Sequence, residues 1–287
     1  MQVESRQEVI RDRGRTIGAI LIEQGRLSPA DVSEVQRYAT LHGVRFGDAA
    51  LRLGLLTQAD IEQAIGQQFN YPILKRGGER GVSDEVLAGY HPHSDTVEEL
   101  RALRSRIFSN WSAEKRVLAV TSAGRGEGRS WLAANLAVVC AQLGKRTLLI
   151  DSDMRHPRQH RLFNLTNAAG LSALLTGRAG REIVARIHPQ LRLFVLPAGL
   201  LPPNPQELLG RQVFSFILET FSEQYDMIIM DTPAISETAD AQIVAEQADG
   251  ALVLAHRHHT RQADLAAAMG GLVQAGVNVI GSVITDH

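Results

Sequence analysis

Apolar residues recur along the chain in two different patterns. Over residues 1–75 they follow helical spacing, in short segments separated by turns. Farther along, continuous apolar runs alternate with helical segments, and such runs are typical of parallel strands buried on both faces. The pattern predicts an α/β fold, a mostly parallel sheet with helices on both faces, preceded by a small all-α domain. The predicted strands are 117–122, 146–151, 192–196, 226–231, 250–255 and 278–284.

The helical N-terminal segment contains two similar copies. The second copy follows the first at an offset of 29 residues, and Ser28 and Thr57 occupy equivalent positions suited to a helix N-cap. Each copy is predicted to form a short helix, a turn closed by glycine and a second, capped helix. The other matched pairs are Gly18 and Gly47, Gly25 and Gly54, Leu27 and Leu56, Asp31 and Asp60, and Val32 and Ile61.

The pattern also predicts two domains joined by a linker. Residues 1–75 form the helical module, and residues 76–96, which contain glycines, a proline and mixed charges, are predicted to be the linker. Apolar residues at helical spacing then predict a helix over 97–111. This helix begins the second domain, which is expected to span 97–287.

Composition and charge narrow the functional classes. With 44% hydrophobic and 21% charged residues, the chain has the composition of an ordinary globular protein. A formal net charge of -1 argues against wholesale electrostatic binding of nucleic acid. The single cysteine, Cys140, has no partner for an internal disulfide and fits a reducing compartment. No membrane-length apolar run or signal-peptide core is present, so a membrane role would need a membrane-embedded partner.

A glycine-rich loop follows the first predicted strand and leads into a helix. Residues 122–130 read SAGRGEGRS, close to the phosphate-binding pattern G-x-x-x-x-G-K-[ST]. Glycines let successive backbone N–H groups turn toward an anion, and the helix N-terminus adds partial positive charge. The candidate nucleotide-binding residues are Gly124, Gly126, Glu127, Gly128, Arg129, Ser130 and Trp131, of which the tryptophan is interpreted as a packing side chain.

The loop departs from the phosphate-binding pattern at Arg129, which occupies the place of the lysine. Arginine keeps the positive charge and can fork onto phosphate oxygens, but it is longer and planar where lysine is a compact point charge. The replacement leaves open whether the site transfers phosphate or only binds nucleotide.

Aspartates end two of the other predicted strands. Asp151 and Asp153 end the second strand, in LLIDSDMRHP, and Asp231 ends the strand DMIIMD. In open parallel sheets, ligands bind at the carboxyl ends of the strands. A serine hydroxyl such as that of Ser130 and several carboxylates near a phosphate make a site for Mg²⁺, which prefers oxygen ligands.

Residues from about 97 to 287 resemble the cytoplasmic domain of the bacterial P-loop tyrosine kinases, which control polysaccharide chain length and export. With its N-terminal module, the chain is similar to the chain-length-determinant tyrosine kinases of the EpsG type from exopolysaccharide operons. The resemblance implies an ATP- and Mg²⁺-dependent P-loop NTPase domain that works beside a membrane-embedded polysaccharide co-polymerase, peripherally at the inner face of the cell membrane. The stretches that carry it are SAGRGEGRS, LLIDSDMRHPRQHRLFNL, GLSALLTG, LPAGLLPPNPQELL and IIMDTPAISETADA.

The resemblance also implies roles for single residues. Arg129 would replace the phosphate-binding lysine, Ser130 and Asp231 would hold magnesium, and Asp153 would support the metal. Asp151 would be the base that takes the proton from an attacking tyrosine hydroxyl. The family signature E-x-x-R-x-x-R, which mediates ring-like self-association, reads Glu98, Arg101 and Arg104 here. A solvated charged helix face is the alternative interpretation of these three residues.

Two departures from the family bear on function. Many members end in a tyrosine-rich tail, whereas this sequence has no tyrosine after Tyr225, so autophosphorylation on such a tail is not expected. A frequent asparagine near the adenine is replaced by Thr285.

The N-terminal module resembles the domain at the start of type II secretion ATPases, some versions of which bind cyclic di-GMP. The second copy keeps Arg45 and Gln68 of that motif, while the first has Thr16 and Ala39 where arginine and glutamine are expected. Second-messenger binding and protein docking both remain open for this module.

Two functions therefore remain open for the whole chain. One is a kinase or ATPase that acts on a polysaccharide co-polymerase. The other is a nucleotide-dependent switch or scaffold without tyrosine phosphorylation, related to the partition-type ATPases that share the fold.

Overall fold

A computed structural model describes residues 16–68, 71–74, 81–109, 111–112 and 114–286. The chain divides into two compact units, one formed by residues 1–74 and 89–94 and the other by residues 75–88 and 95–287. The predictions for residues 1–15 and for the linker residues 76–80 lie outside the described residues. In the described part of the chain, no helix combines the length and the apolar composition that crossing a bilayer requires.

The smaller unit consists of two helix pairs, one from each copy of the repeat. The Ser28 hydroxyl accepts the N–H of Asp31 (3.2 Å), and the Asp31 carboxylate accepts the N–H of Ser28 (2.7 Å). Thr57 and Asp60 repeat this capping box in the second copy. The helices are α1 (Ile17–Glu23), α2 (Pro29–His42), α3 (Phe46–Arg52) and α4 (Gln58–Gln68).

Close packing explains the repeated glycines at the start of each copy. A Cβ atom on Gly18 would lie 3.1 Å from the Val32 side chain, and one on Gly47 would lie 3.3 Å from Ile61. The two contacts are equivalent in the repeat, since each glycine lets the first helix of its copy approach the second. The buried core of the unit draws on both copies, including Leu21, Val35, Ala49 and Ile61.

The larger unit has a sheet of seven strands in the described residues, in the order β3-β4-β2-β5-β1-β6-β7. All neighbouring strands are parallel except β3, which pairs antiparallel with β4 at one edge. The α/β fold and the mostly parallel sheet predicted from the sequence are thus confirmed. The strands are β1 (Val117–Ser122), β2 (Thr147–Asp151), β3 (Ala185–His188), β4 (Leu191–Leu196), β5 (Met227–Asp231), β6 (Gly250–His256) and β7 (Val279–Thr285).

Helices lie between most of the strands. The helix that follows the glycine-rich loop is buried almost all round, as expected for a helix packed against the centre of the sheet. The helices of this part of the chain are α5 (Leu87–Tyr90), α6 (Asp95–Ser109), α7 (Arg129–Gln142), α8 (Gln159–Leu162), α9 (Leu171–Leu175), α10 (Pro205–Leu209), α11 (Gln212–Ser222), α12 (Asp240–Glu246) and α13 (Gln262–Gln274), with a 3₁₀ turn at Arg181–Ile183.

The structure differs from the sequence pattern in three places. Strand β3 was not predicted, because its four residues are polar at alternate positions and only Ile187 is buried. The second difference concerns the predicted linker, where residues 81–88 belong to the larger unit and residues 89–94 to the smaller one. The helix predicted at 97–111 begins two residues earlier, at Asp95, and ends at Ser109.

Candidate nucleotide site

The glycine-rich loop lies between β1 and α7 at the centre of the sheet. Gly126 (φ 79°) and Gly128 (φ 90°) adopt left-handed backbone conformations that favour glycine. The five successive amide N–H groups of residues 126–130 make no hydrogen bond to any residue that the structure describes. An unpaired run of N–H groups at a helix N-terminus is the arrangement that binds phosphate oxygens.

A cavity of about 580 Å³ opens over this loop. Residues of both charges line it, with Arg129 and the uncharged Ser130 on the loop side and Asp153 on the side of β2. The other lining residues are Glu85, Arg125, Gly126, Glu127, Gly128, Trp131, His156, Arg158 and Glu237.

The ends of β1, β2 and β5 meet beneath the loop. Asp151 of β2 pairs in register with Asp231 of β5, and Asp231 pairs with Val120 of β1 on its other side. The N–H of Ser152 donates to the Asp231 carbonyl (2.8 Å), and the N–H of Thr232 donates to the Val120 carbonyl (3.2 Å). The strand ends are therefore held at fixed distances from one another.

Asp231 is a buried carboxylate beside the start of α7. Burial raises the pKa of Asp231 to about 6, although interactions with Gln159, Arg129 and the Ser130 hydroxyl act in the opposite direction. The Gln159 amide donates to Asp231 Oδ2 (2.8 Å) and to the Ser130 carbonyl (3.0 Å). The structure thus brings Ser130 and Asp231 together, with Gln159 as their common partner.

Asp151 is also fully buried, next to Asp231. Burial and the neighbouring Asp231 charge raise the pKa of the Asp151 carboxyl well above its ordinary value. Its Oδ2 accepts the backbone N–H groups of Arg158 and Gln159, both at 2.9 Å. The other oxygen, Oδ1, is buried and has no partner in the described part of the chain.

Asp153 lies two residues farther on and lines the cavity. Its Oδ1 accepts the N–H groups of Arg155 (3.2 Å) and His156 (2.8 Å), so that it closes the turn after β2. All three aspartates are buried, but Asp153 (4% exposed) lines the cavity, whereas Asp151 and Asp231 do not.

Several buried oxygen atoms at the strand ends lack a hydrogen-bond partner. They belong to Asp151 (Oδ1), Ser152 (Oγ), Gln159 (Oε1) and Asp231 (Oδ1), within the residues that the structure covers. Unsatisfied buried oxygens fit a hydrated Mg²⁺ ion, which binds through water and phosphate oxygens as much as through protein. Among the described residues, no three acidic, histidine or cysteine side chains form a group that could hold a metal without phosphate or water.

Arg129 turns back onto its own loop. Its Nη1 donates to the Ser122 hydroxyl (2.5 Å) and the Gly124 carbonyl (2.8 Å), and its Nε donates to the Thr232 carbonyl (2.9 Å). The guanidinium thereby joins the phosphate loop to the end of β5. Nη2 makes no hydrogen bond with the described residues, and the side chain lines the cavity, so two N–H donors stay available to a phosphate.

Comparison with known proteins shows to which family the chain belongs. No protein-family model matches it. It is 36% identical over 213 residues to the tyrosine-protein kinase YwqD of Bacillus subtilis (strain 168), which covers 74% of this chain and 90% of the relative. The chain belongs to the bacterial tyrosine-protein kinases. It is also 33% identical to the tyrosine-protein kinase etk of Escherichia coli (strain K12), matching 69% of this chain but 27% of that longer protein.

Solved structures agree with this assignment. The chimerical protein CapA2B2 aligns with a TM-score of 0.67 at 30% identity, over 78% of this chain and 97% of the other. The kinase domain of Escherichia coli tyrosine kinase ETK gives the same TM-score at 32% identity, over 70% and 79% of the two chains. The septum site-determining protein MinD of Pyrococcus horikoshii shares the fold alone, at 19% identity and a TM-score of 0.52.

Glu98, Arg101 and Arg104, which the resemblance predicts to take part in self-association, lie on α6. Glu98 and Arg101 form an ion pair on its surface. Arg104 instead faces α7 and donates from Nη1 to the Val139 carbonyl (2.6 Å). In this tyrosine-kinase chain, one residue of the signature is therefore engaged within the chain itself.

Sequence reasoning missed several residues of this site. Gln159 joins Asp231 to Ser130, and Glu85 and Arg158 pair at the cavity wall. Glu85 comes from the predicted linker, and Gln159 lies in the stretch LLIDSDMRHPRQHRLFNL that carries the resemblance but was given no role of its own. The position of Gln159, eight residues after Asp151 in the stretch RHPRQH, was the available signal.

Proposed function

We propose that this chain is an ATP- and Mg²⁺-dependent tyrosine kinase that regulates the chain length and export of an exopolysaccharide. The observation that carries the proposal is the run of five amide N–H groups over residues 126–130, which have no hydrogen-bond partner among the described residues and end at Ser130, next to Asp231. These groups are suited to the β- and γ-phosphates of ATP.

The proposed roles of the residues are those that the resemblance to the tyrosine kinases implies. Ser130 and Asp231, supported by Asp153, would hold Mg²⁺, which would neutralise phosphate charge when bound. The free Nη2 of Arg129 would donate to the transferred phosphate. Asp151 would accept the proton of the acceptor tyrosine as the phenolic oxygen bonds to the γ-phosphorus and the bond to the ADP oxygen breaks.

An activity assay tests the proposal. The purified chain is mixed with ATP and Mg²⁺, with and without a cytoplasmic peptide of the membrane partner, and is assayed for ADP and phosphotyrosine. We expect turnover in the wild type and its loss in Asp151→Asn. Asp153→Asn removes the carboxylate proposed to support the metal. The dependence of its turnover on Mg²⁺ concentration, compared with that of Asp151→Asn, distinguishes the metal-support role from the role of the base. A folded wild-type chain that binds no ATP would contradict the proposal.

A second candidate function is a nucleotide-dependent switch that phosphorylates no tyrosine. Arg129 supports it, because three of its N–H donors are occupied within the protein and only Nη2 is left for phosphate. ATP binding without phosphotyrosine, together with a nucleotide-dependent change of oligomeric state in ultracentrifugation, would favour the switch over the kinase.

We further propose that the chain works as a homo-oligomer at the inner face of the cell membrane, beside a membrane-embedded co-polymerase. Glu98 and Arg101 would lie in the subunit interface, with Arg104 beneath them. Arg101→Glu should shift the sedimentation coefficient toward the monomer. Arg106→Glu, on the same helix but outside the signature, is the matched control and should leave the oligomer intact.

For the N-terminal module, residues 1–75, we propose a regulatory role separate from the catalytic domain, 97–287. A cavity of about 530 Å³ in this unit is lined by Thr16 and Ala39 of the first copy and by Phe46 and Gln68 of the second. These include the motif positions that bind cyclic di-GMP in the similar domains. Calorimetric titration of cyclic di-GMP into the complete chain tests the ligand, with Gln68→Ala expected to weaken any binding.

A further inference from the structure

The phosphate loop contains a buried acid that its function does not explain. Glu127 is only 2% exposed and lines the cavity of the proposed nucleotide site. A carboxylate beside a triphosphate repels it, so electrostatics alone would favour a neutral residue at this position. A buried carboxylate therefore needs a structural reason to be there.

Hydrogen bonds supply that reason. Glu127 Oε2 accepts the N–H of Gly124 (3.0 Å), and Oε1 accepts the Thr260 hydroxyl (2.5 Å). The carbonyl oxygen of Glu127 accepts the hydroxyl of Thr285 at the end of β7 (3.1 Å). One residue thus connects the phosphate loop, the loop between β6 and α13, and the last strand.

Thr260 is itself held in place. Its hydroxyl accepts the backbone N–H of His256 (2.8 Å), which leaves its single proton for Glu127. The carboxylate is therefore fixed by a residue whose own orientation is set by β6. Charge-assisted bonds of this kind are about twice as strong as neutral ones.

Gly124 is clamped from both sides. Glu127 takes its N–H, while Arg129 Nη1 donates to its carbonyl (2.8 Å). The contact is tight, because a Cβ atom on Gly124 would lie 3.0 Å from Glu127 Oε1. With both polar groups of this residue bound by side chains of the same loop, the loop keeps its shape before any ligand arrives.

We propose that Glu127 is a positioning residue that holds the phosphate loop against the loop between β6 and α13, with its amide groups turned toward the triphosphate. The inference rests on the proposed nucleotide site. In this role the Glu127 carboxylate makes no contact with the reacting atoms. Its effect on the reaction passes through the backbone N–H groups of residues 126–130.

Two measurements on the complete chain test this. The first is hydrogen exchange of the peptide covering residues 123–130 without ligand, and the second is the calorimetric Kd for ATP with Mg²⁺. We expect Glu127→Ala to speed exchange and to weaken ATP binding about 10-fold, because the loss of two charge-assisted hydrogen bonds outweighs the removal of one negative charge near the phosphates. Glu182→Gln is the matched control, since Glu182 also accepts a glycine N–H (Gly180, 2.8 Å) but does not line the cavity.

Variants of Thr260 keep the test valid should Glu127→Ala fail to fold. Thr260→Val should speed exchange and weaken ATP binding, as Glu127→Ala does, and Thr260→Ser should restore both values toward those of the wild type. The double variant Glu127→Ala with Thr260→Val should bind ATP no more weakly than Glu127→Ala alone. Unchanged exchange in Glu127→Ala and Thr260→Val, or strictly additive losses of affinity, would overturn the inference. A wild type that binds no ATP would overturn the proposed function instead, while the exchange experiment still decides the role of Glu127.

Discussion

Among single residues, Arg129 is one of two positions where this kinase departs from the pattern G-x-x-x-x-G-K-[ST], because it replaces the lysine while Ala123 replaces the first glycine. Its guanidinium satisfies two carbonyl oxygens and one hydroxyl, and still keeps donors toward the cavity. A lysine ammonium has three donors on one nitrogen and cannot reach acceptors as far apart as Thr232 and Gly124 while also meeting a phosphate. The arginine thus links loop geometry and phosphate binding in one side chain.

Arg129→Lys should lower both stability and turnover. Leaving one or two of these acceptors without a donor costs about 1–3 kcal/mol each, and we expect turnover to fall roughly 10-fold. Thermal unfolding and steady-state ADP release measure the two effects. Arg125→Lys, in the same loop but with a side chain 64% exposed, is the control and should change neither. A rise in turnover would mean that the guanidinium limits catalysis.

Asp231 makes stability depend on pH. Its pKa rises from 3.8 to about 6 on folding, so the unfolded chain releases this proton at lower pH than the folded protein does. The stabilising contribution is present below pH 3.8 and is lost as pH rises through about 6. The ligand-free protein should therefore become less stable over this interval.

Asp231→Asn should remove this dependence. At pH 7.5, where wild-type Asp231 is ionised and buried, we expect the variant to unfold at a higher temperature than the wild type. At pH 4.5 the difference in melting temperature should be smaller. Calorimetric melting points at both pH values measure it. Asp264→Asn, an exposed aspartate on α13, should show no such difference. Equal shifts at both pH values for Asp231→Asn would contradict the argument.

At the scale of elements, residues 81–88 act as a strap along the phosphate-loop helix α7. Asn135 on α7 accepts the N–H of Ala88 (2.9 Å) and donates to the Glu85 carbonyl (3.0 Å). The N–H of Ser83 donates to the Leu162 carbonyl (2.8 Å). These bonds bring the Glu85 carboxylate to the cavity wall, where it pairs with Arg158.

Glu85→Gln tests the influence of this strap on the nucleotide site. The ion pair is half-exposed and contributes at most about 1 kcal/mol to stability, so the melting point should hardly move. Removing a negative charge from the cavity wall should instead tighten ATP binding about 2-fold to 5-fold at low salt, with the gain shrinking as the salt concentration rises. Calorimetry at two salt concentrations measures this. Glu223→Gln, exposed at the end of α11, is the control, and equal gains in both variants would refute a local effect.

At the scale of the whole molecule, the two compact units have separate hydrophobic cores. The phosphate loop lies in the larger one. ATP with Mg²⁺ at about 100 times its Kd should add about 2.7 kcal/mol to the stability of that unit. For a unit of this size the melting point should rise by roughly 5–10 °C.

Differential scanning calorimetry of the complete chain checks this prediction. We expect one transition to move with ATP and Mg²⁺ and the transition of the smaller unit to stay in place. Mg²⁺ without nucleotide is the control and should produce a much smaller shift. A uniform shift of the whole melting curve would show that the two units unfold as one.

Local features of this protein could be predicted from its residues alone. Apolar runs that continue without a polar break can only be satisfied inside a sheet covered on both faces, so β1, β2 and β5 were predictable. The glycine-rich loop was predictable because its left-handed positions require glycine, and the repeat with its capping boxes because capping depends on neighbours three residues apart.

Which distant residues meet became known from the folded structure. The bonds from Glu127 to Thr260 and Thr285, from Arg129 to Thr232 and from Asn135 to the strap each join segments far apart in sequence. No periodicity records such pairs, since they follow from the order of strands in the sheet and from the path of the connecting loops. The same holds for the elevated pKa of Asp231, because burial and neighbouring charge arise only when the strand ends come together.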